Sequence, residues 1–283
     1  MMDKRRHWFF IFTISSFSVL LLAILFAPLL TIHDPLAVQM SSVLQPPSST
    51  HLLGTDELGR DVLSRLLHGG RVSMAVGAAA MLVSVAAGVL YGAVSGLAGG
   101  GIDRLMMRLI DALLSIPSLL LIIGIQLVFS PSLLTVILVI SLTSWMPIAR
   151  LIRTELIAMK KDVFIQASAV VGASPFQLLF RHMLPQCTPT IIVLAVSGIS
   201  HAILAEATLS FLGIGIPPQE PSWGNMLMGA QSHLLSGAWW LAVFPAGCII
   251  YSILVINFLG DRLQDRLAAP QFRKGDENEW ISS

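Results

Sequence analysis

From residue 8 to residue 32 the chain carries no charged side chain. A run of about 25 apolar residues can cross the ~30 Å hydrocarbon core of a bilayer as a helix. It is too long for the apolar core of a cleaved signal peptide. Five more such runs follow, at about residues 72–97, 109–129, 133–151, 190–212 and 239–259. In lipid each backbone polar group must be bonded inside its own segment, so runs of this kind fold as helices. The chain is 55% hydrophobic and 12% charged, against about 25% charged in a soluble domain. The expected fold is all-α, a polytopic membrane protein with six transmembrane helices.

The few cations fix an orientation, because cytoplasmic loops collect Lys and Arg. With the N-terminus in the cytoplasm and six spans, the inside loops hold Lys4, Arg5, Arg6, Arg104, Arg108, Arg150, Arg153, Lys160, Lys161 and Arg181. The C-terminal segment adds Arg262, Arg266, Arg273 and Lys274. Only Arg60, Arg65 and Arg71 of the 17 basic residues are left outside. The segment that follows the fourth span is therefore cytoplasmic.

That segment reads as two short helices joined by a bend. Asp162 can cap the first. Val163, Ala167, Val170 and Val171 form one stripe at helical spacing. Gly172 suits a left-handed helix end. Ser174, Pro175 and Gln177 spell a capping box with Pro at the first helical position. Pro185 blocks continuation. The spacing Gln166-Ala167-Ser168, Gly172, His182-Met183-Leu184-Pro185 resembles the Glu-Ala-Ala…Gly…Leu-Pro loop of membrane subunits in binding-protein-dependent ABC importers. Gln stands here for the pattern's Glu, and Ser168 for its second Ala. In that family the first helix of the loop docks in a groove of an ATPase. The resemblance gives that role to Val163, Phe164, Gln166, Ala167, Gly172 and Pro185.

Three further stretches resemble the peptide and nickel branch of the same family. Gly54-Thr55-Asp56, Gly59, Arg60 and Asp61 match its G-T-D-x-x-G-R-D signature. A short surface helix with solvated ion pairs is expected to follow. The run that opens the third span, with Asp111 and Pro117, is similar to the branch. So is the segment Ser210-Phe211-Leu212-Gly213, Gly215, Pro217-Pro218, Trp223-Gly224, and Asn257 to Asp261 closes the last span in the family manner. The implied organisation is a cytoplasmic N-terminus (1–7), a first span with an extracytoplasmic signature segment (8–71), a five-span core (72–260) with a coupling loop (153–187), and a cytoplasmic tail (261–283), polar and mobile beyond Pro270.

Other features have packing explanations. Ser84, Gly88, Gly92 and Gly96 recur every four residues, a seam that lets a neighbouring helix approach closely. Asp111 has Arg108 at i−3 as a natural partner. Pro117 is expected to kink its span; with Pro147 and Pro245 inside others, it fits helices that line a cavity, where freed carbonyls can be satisfied, and equally simple packing kinks. Cys187 and Cys248 sit at or in apolar runs without metal or redox spacing and read as packing residues.

No catalytic residue or metal set is indicated. The chain lacks a G-x-x-x-x-G-K-[ST] phosphate loop, and its seven histidines are scattered without ligand spacing. His201 and Glu206, five residues apart in the fifth span, are the candidates for a polar translocation path; about 140° separates them on a helix. The resemblance implies a type I ABC importer permease fold with no cofactor in this chain, ATP being bound by two partner ATPase subunits. It also implies a second homologous permease, an extracytoplasmic solute-binding protein, the bilayer of a bacterial cytoplasmic membrane, and no nucleic-acid partner. The implied cargo is a peptide, or nickel free or chelated. A membrane-embedded enzyme and a non-transporting scaffold are the rival classes.

Overall fold

The computed structural model describes the backbone of residues 2–279 and the side chains of residues 8 and 10–267. Lys4, Arg5, Arg6, Arg273 and Lys274, counted above by their side chains, and residues 280–283 of the expected tail lie outside the described residues. Among the described residues the secondary structure is helical, with a single isolated bridge between Thr55 and Asp61.

In chain order the helices are α1 (Met2–Leu25), α2 (Ala27–Leu30), α3 (Val62–Ala98), α4 (Gly100–Leu114), α5 (Ser118–Gln126), α6 (Leu133–Met159), α7 (Val163–Val170), α8 (Pro175–Leu178), α9 (Leu184–Phe211), α10 (Trp223–Ala230) and α11 (Trp240–Glu279). Val62–Ala98, Leu133–Met159, Pro175–Phe211 and Trp240–Leu267 are each long and apolar enough to cross a membrane. The pair α4 and α5 passes the same test jointly, bent by 85°. The break falls at residues 115–117, where Pro117 removes a backbone donor and restricts its predecessor. The expected kink is thus a full break. Phe10–Leu25 of α1 is apolar but shorter.

Several boundaries differ from expectation. The surface helix foreseen after the Arg60-Asp61 signature is the first turn of α3, continuous with the second span. The helix does not stop at Pro185. A π-helical turn at Leu179–Met183 leads straight into α9, and Leu184 N–H bonds the Leu179 carbonyl. An i→i+5 turn has room for a proline ring that an α-turn would reject. Beyond Pro270, where a polar tail was foreseen, α11 stays helical to Glu279.

The chain forms two compact units. The first comprises residues 1–80, 122–140 and 200–256; the second comprises 81–121, 141–199 and 257–283. In the first, Ile24, Val62, Leu66, Trp223, Trp240 and Ile249 pack into one apolar core. In the second, the small-residue seam of α3 meets α6. A Cβ on Gly88 would lie 2.7 Å from Ile148 Cβ, one on Gly92 2.6 Å from the Ala149 carbonyl oxygen, and one on Gly96 3.2 Å from Leu156 Cβ. Ser84 completes the row by donating to the Ser141 carbonyl at 3.3 Å. Close backbone approach is the reason for small residues on that face.

Candidate functional site: capped loop helices, signature loop and buried carboxylate

Helix α7 lies in the second unit. Ile165 is its one buried residue, and Phe164 adds an edge contact to the His182 ring at 5.2 Å. The stripe Val163, Val170 and Val171 is 82%, 87% and 89% exposed. Asp162 occupies the N-cap in an extended conformation, yet its side chain makes no cap bond, contrary to expectation. The other end is tightly specified. Gly172 has φ +98°. Its N–H bonds the Ala169 carbonyl, and Ala173 N–H bonds Ser168 O at 3.1 Å. That pair of bonds is the Schellman arrangement. The capping box then opens α8: Gln177 N–H donates to Ser174 Oγ at 3.2 Å, and Ser174 N–H to Gln177 Oε1 at 2.9 Å. Gln166 points to the Lys161 carbonyl at 3.4 Å.

The signature loop, in the first unit, is a buried knot rather than a set of solvated charges. Asp56 Oδ1 accepts from the N–H groups of Leu58 and Arg60, both at 2.9 Å. Its Oδ2 meets Arg60 Nε at 2.6 Å and Arg65 Nε at 3.5 Å. Asp56, Asp61 and Arg65 are all buried. Thr55 donates to the Ser42 carbonyl and accepts from Gln45 N–H at 2.9 Å. Its own carbonyl takes the Trp240 indole N–H at 3.1 Å. Gly54 and Gly59 have φ of +79° and +72°. A Cβ on Gly59 would fall 1.8 Å from the Gln39 carbonyl oxygen. Glycine is required at both places. Asp61 caps α3 by accepting Ser64 N–H at 2.8 Å, and its other oxygen meets His51 Nδ1 at 2.9 Å.

Glu206 is fully buried in the first unit. Ser73 donates to its Oε2 at 2.7 Å and Ser210 to its Oε1 at 2.8 Å. Ser73 Oγ also accepts Trp223 N–H at 3.3 Å, and Ser210 Oγ accepts Ile216 N–H at 3.2 Å. The carboxylate thereby ties α9 to α3 and to the segment that leads into α10. Asn225 spans that segment, donating to the carbonyls of Ile216, Pro217 and Glu220 at 3.0–3.1 Å. Trp223 donates to the Leu66 carbonyl at 2.9 Å. A Cβ on Gly224 would lie 2.7 Å from Ala207 O. His201 is exposed, so the two path candidates face different surroundings.

Two acids of the second unit complete the polar inventory. Arg153 Nε donates to Asp103 Oδ1 at 2.9 Å, and Ser95 donates to the same carboxylate at 2.6 Å. Asp111 pairs with Arg150 of α6 rather than with Arg108; a cation on the facing helix takes precedence over the i−3 neighbour. A cavity of about 600 Å³ in this unit is lined by Leu151, Glu155, Gln186, Thr190, Ser197 and Gln264, among others. Within it Thr190 donates to Glu155 at 2.6 Å.

Among the described residues, the apolar helices of spanning length and the exposed apolar stripe of α7 are those of a multi-span membrane protein with a surface open to a partner. Residues 84–269 match the family described as binding-protein-dependent transport system inner membrane component, and the chain belongs to that family. The dipeptide transport system permease protein DppC of Bacillus subtilis is 39% identical over 247 residues, covering 87% of this chain and 77% of that protein. The oligopeptide transport system permease protein OppC of the same organism is 36% identical over 256 residues, covering 90% and 83%. The di/tripeptide transport system permease protein DppC of Pseudomonas aeruginosa is 39% identical over 249 residues, covering 86% and 82%. Among solved structures, the MetNI methionine ABC transporter in an inward-facing conformation aligns with a TM-score of 0.57 at 17% identity, covering 72% of this chain and 96% of that one. The likeness is one of fold. The chain is a multi-pass bacterial membrane protein and a permease subunit of the ABC-importer kind.

Sequence reasoning missed Ser73, which acts on a residue 133 positions away, Asn225, which acts on loop carbonyls, and Ser222. Ser222 three residues before Asn225 carried a local signal: a Ser N-cap whose oxygen takes the N3 amide, here at 3.1 Å. His33 and His51, read as scattered, are brought together beside Asp61.

Proposed function

We propose that this chain is one of two permease subunits of a type I importer that moves peptides across the bacterial cytoplasmic membrane. In this reading it has six spans, with α1 and the bent pair α4–α5 each counting as one, and both termini are cytoplasmic. Two ATPase subunits supply the energy, and an extracytoplasmic binding protein delivers cargo. Closure of the ATPase pair is transmitted through α7, and the spans alternate between outward and inward access.

The observation that carries the reading is the apolar stripe of Val163, Val170 and Val171, left on the surface of a helix whose end is locked by Gly172. Exposed apolar area on a helix with a defined end favours a partner groove. Peptide cargo is supported by the peptide permeases among the relatives. Basic residues support the orientation: Arg104, Arg150, Arg153 and Lys160 fall in segments that this reading puts inside, whereas Arg60, Arg65 and Arg71 fall in those it puts outside. The network around Glu206 supports a structural role for that residue ahead of contact with cargo.

The test is uptake by the complex reconstituted in liposomes with its cognate binding protein, using labelled di- and oligopeptides and, in parallel, Ni²⁺ and its chelates. Peptide uptake that needs ATP and the binding protein is expected. Uptake of nickel alone would replace the cargo, and catalytic turnover without transport would favour the enzyme class. Reporter fusions after Lys161 should read cytoplasm, and those near Ser48 and Gln219 the outside; a cytoplasmic reading at Gln219 would break the six-span arrangement.

A further inference from the structure

We propose that His33, His51 and Asp61 form a binding site for a divalent transition-metal ion of the Zn²⁺ type, which clamps the loop after the first span to the signature loop. One ring nitrogen from each histidine and a carboxylate oxygen of Asp61 lie within 4.8 Å of one another. Two imidazoles and a carboxylate are a ligand set suited to Zn²⁺, with a fourth position open to water. Ligand atoms about 2.0–2.1 Å from a tetrahedral ion stand roughly 3.3 Å apart. The set therefore needs only a modest contraction, and His33, half-buried in a loop, is free to supply it.

Hydrogen bonding alone accounts for two of the three residues. His51 Nδ1 meets Asp61 Oδ1 at 2.9 Å, and both side chains are buried. It does not account for His33. That ring stands 4.8 Å from the His51 ring, tilted by 37°, and makes no hydrogen bond among the described residues. The surroundings also resemble a ligand support. Ser64 N–H holds Asp61 Oδ2 at 2.8 Å, leaving the other oxygen directed at the histidines. Ser48 Oγ holds the His51 N–H at 3.1 Å. Such supporting bonds orient ligands around an ion. The three ligands come from the segment after α2, the 45–54 loop and the start of α3, so an ion would join segments that the backbone connects only through a long loop. The inference stands apart from the cargo, since no step of transport is routed through the ion.

The experiment uses the full-length chain in lipid nanodiscs, without a polyhistidine tag, stripped with chelator and titrated with Zn²⁺, Co²⁺ or Mg²⁺ alone. One Zn²⁺ per chain is expected to survive gel filtration, and Zn²⁺ should raise the melting temperature by binding the native state. Co²⁺ should give the visible absorption of a four-coordinate site, and Mg²⁺, which prefers oxygen ligands, should do neither. His33→Ala should leave the metal-free melting temperature unchanged while weakening Zn²⁺ by about tenfold or more, the scale of a perturbed ligand set. Independently of any variant, Zn²⁺ should protect His33 of the wild-type chain from diethylpyrocarbonate. Equal Zn²⁺ binding by His33→Ala and wild type, absence of retained Zn²⁺, or an unprotected His33 would each overturn the site.

Discussion

Ser73 donates its hydroxyl to Glu206 at 2.7 Å across 133 residues of sequence. A buried polar group is tolerated when it is hydrogen-bonded, and here two hydroxyls serve one carboxyl group. The same two serines accept the N–H groups of Trp223 and Ile216. One acidic side chain in a span thus organises the turn that follows it.

Removing that side chain should therefore act on folding. Glu206→Ala leaves the Ser73 and Ser210 hydroxyls without their acceptor, at a cost of about 1–3 kcal/mol for each orphaned group. Glu206→Gln keeps one acceptor and should cost less. Thermal melting followed by size-exclusion chromatography should rank wild type above Gln above Ala, with His201→Ala close to wild type. An Ala variant that melts like wild type would remove the network from the architecture.

The signature loop makes a second, sharper contrast. Asp56 serves Arg60 and the buried Arg65 together. Breaking a buried pair strands the remaining charge, at roughly 3–5 kcal/mol. Asp56→Asn should sharply reduce the folded yield in membranes. Glu57→Gln, which loosens a 3.5 Å contact at a residue 32% exposed, should stay within about 1 kcal/mol of wild type. Equal yields from the two variants would mean that the knot is not what holds this segment.

How much of this could be read from the sequence depends on the range of the interaction. The capping box at Ser174 and Gln177, the helix end at Gly172 and the small-residue seam of α3 are local or periodic patterns, and the structure has all three. Charges were harder. Arg65 looks like the solvent face of an amphipathic turn, yet it is buried beside Asp56. Asp111 has a plausible partner three residues away and takes one from another helix. Pro185 reads as a stop because an α-turn cannot hold it, and a π-turn is not encoded by any simple spacing. His33 and His51 are 18 positions apart on either side of a proline-rich loop, and only the fold sets their rings side by side.

The two acids of the second unit should separate in a double-mutant cycle. Asp103 is buried and bonded by both Arg153 and Ser95, so its coupling to Arg153 should exceed about 1.5 kcal/mol, the lower range of hydrogen bonds to charged groups. Asp111 and Arg150 have side chains 61% and 47% exposed, and a pair of that kind contributes about 0–1 kcal/mol. The measurement is the melting free energy of single and double Ala variants. A larger coupling for the exposed pair would reverse the assignment.

Gly172 isolates the function proposed for α7. Its φ of +98° is closed to β-branched side chains, while a Cβ there would meet nothing within 4 Å. The penalty for Gly172→Val is therefore conformational, about 1–3 kcal/mol. It falls on the turn that ends α7, outside the spans. The chain relieves it by extending the helix or opening the Schellman turn, and either change re-aims the exposed Val163, Val170 and Val171 stripe. Gly172→Asn, whose side chain tolerates the left-handed region, should be milder. Gln166 is neutral, so the contact made by this helix should also be less sensitive to salt than one built on Glu. In purified complex with its binding protein, Gly172→Val should keep its place in the membrane and its partner permease. It should lose ATPase subunits or cargo-stimulated hydrolysis, with Gly172→Asn between it and wild type. Stimulation and uptake at wild-type level in Gly172→Val would show that α7 is not the coupling element.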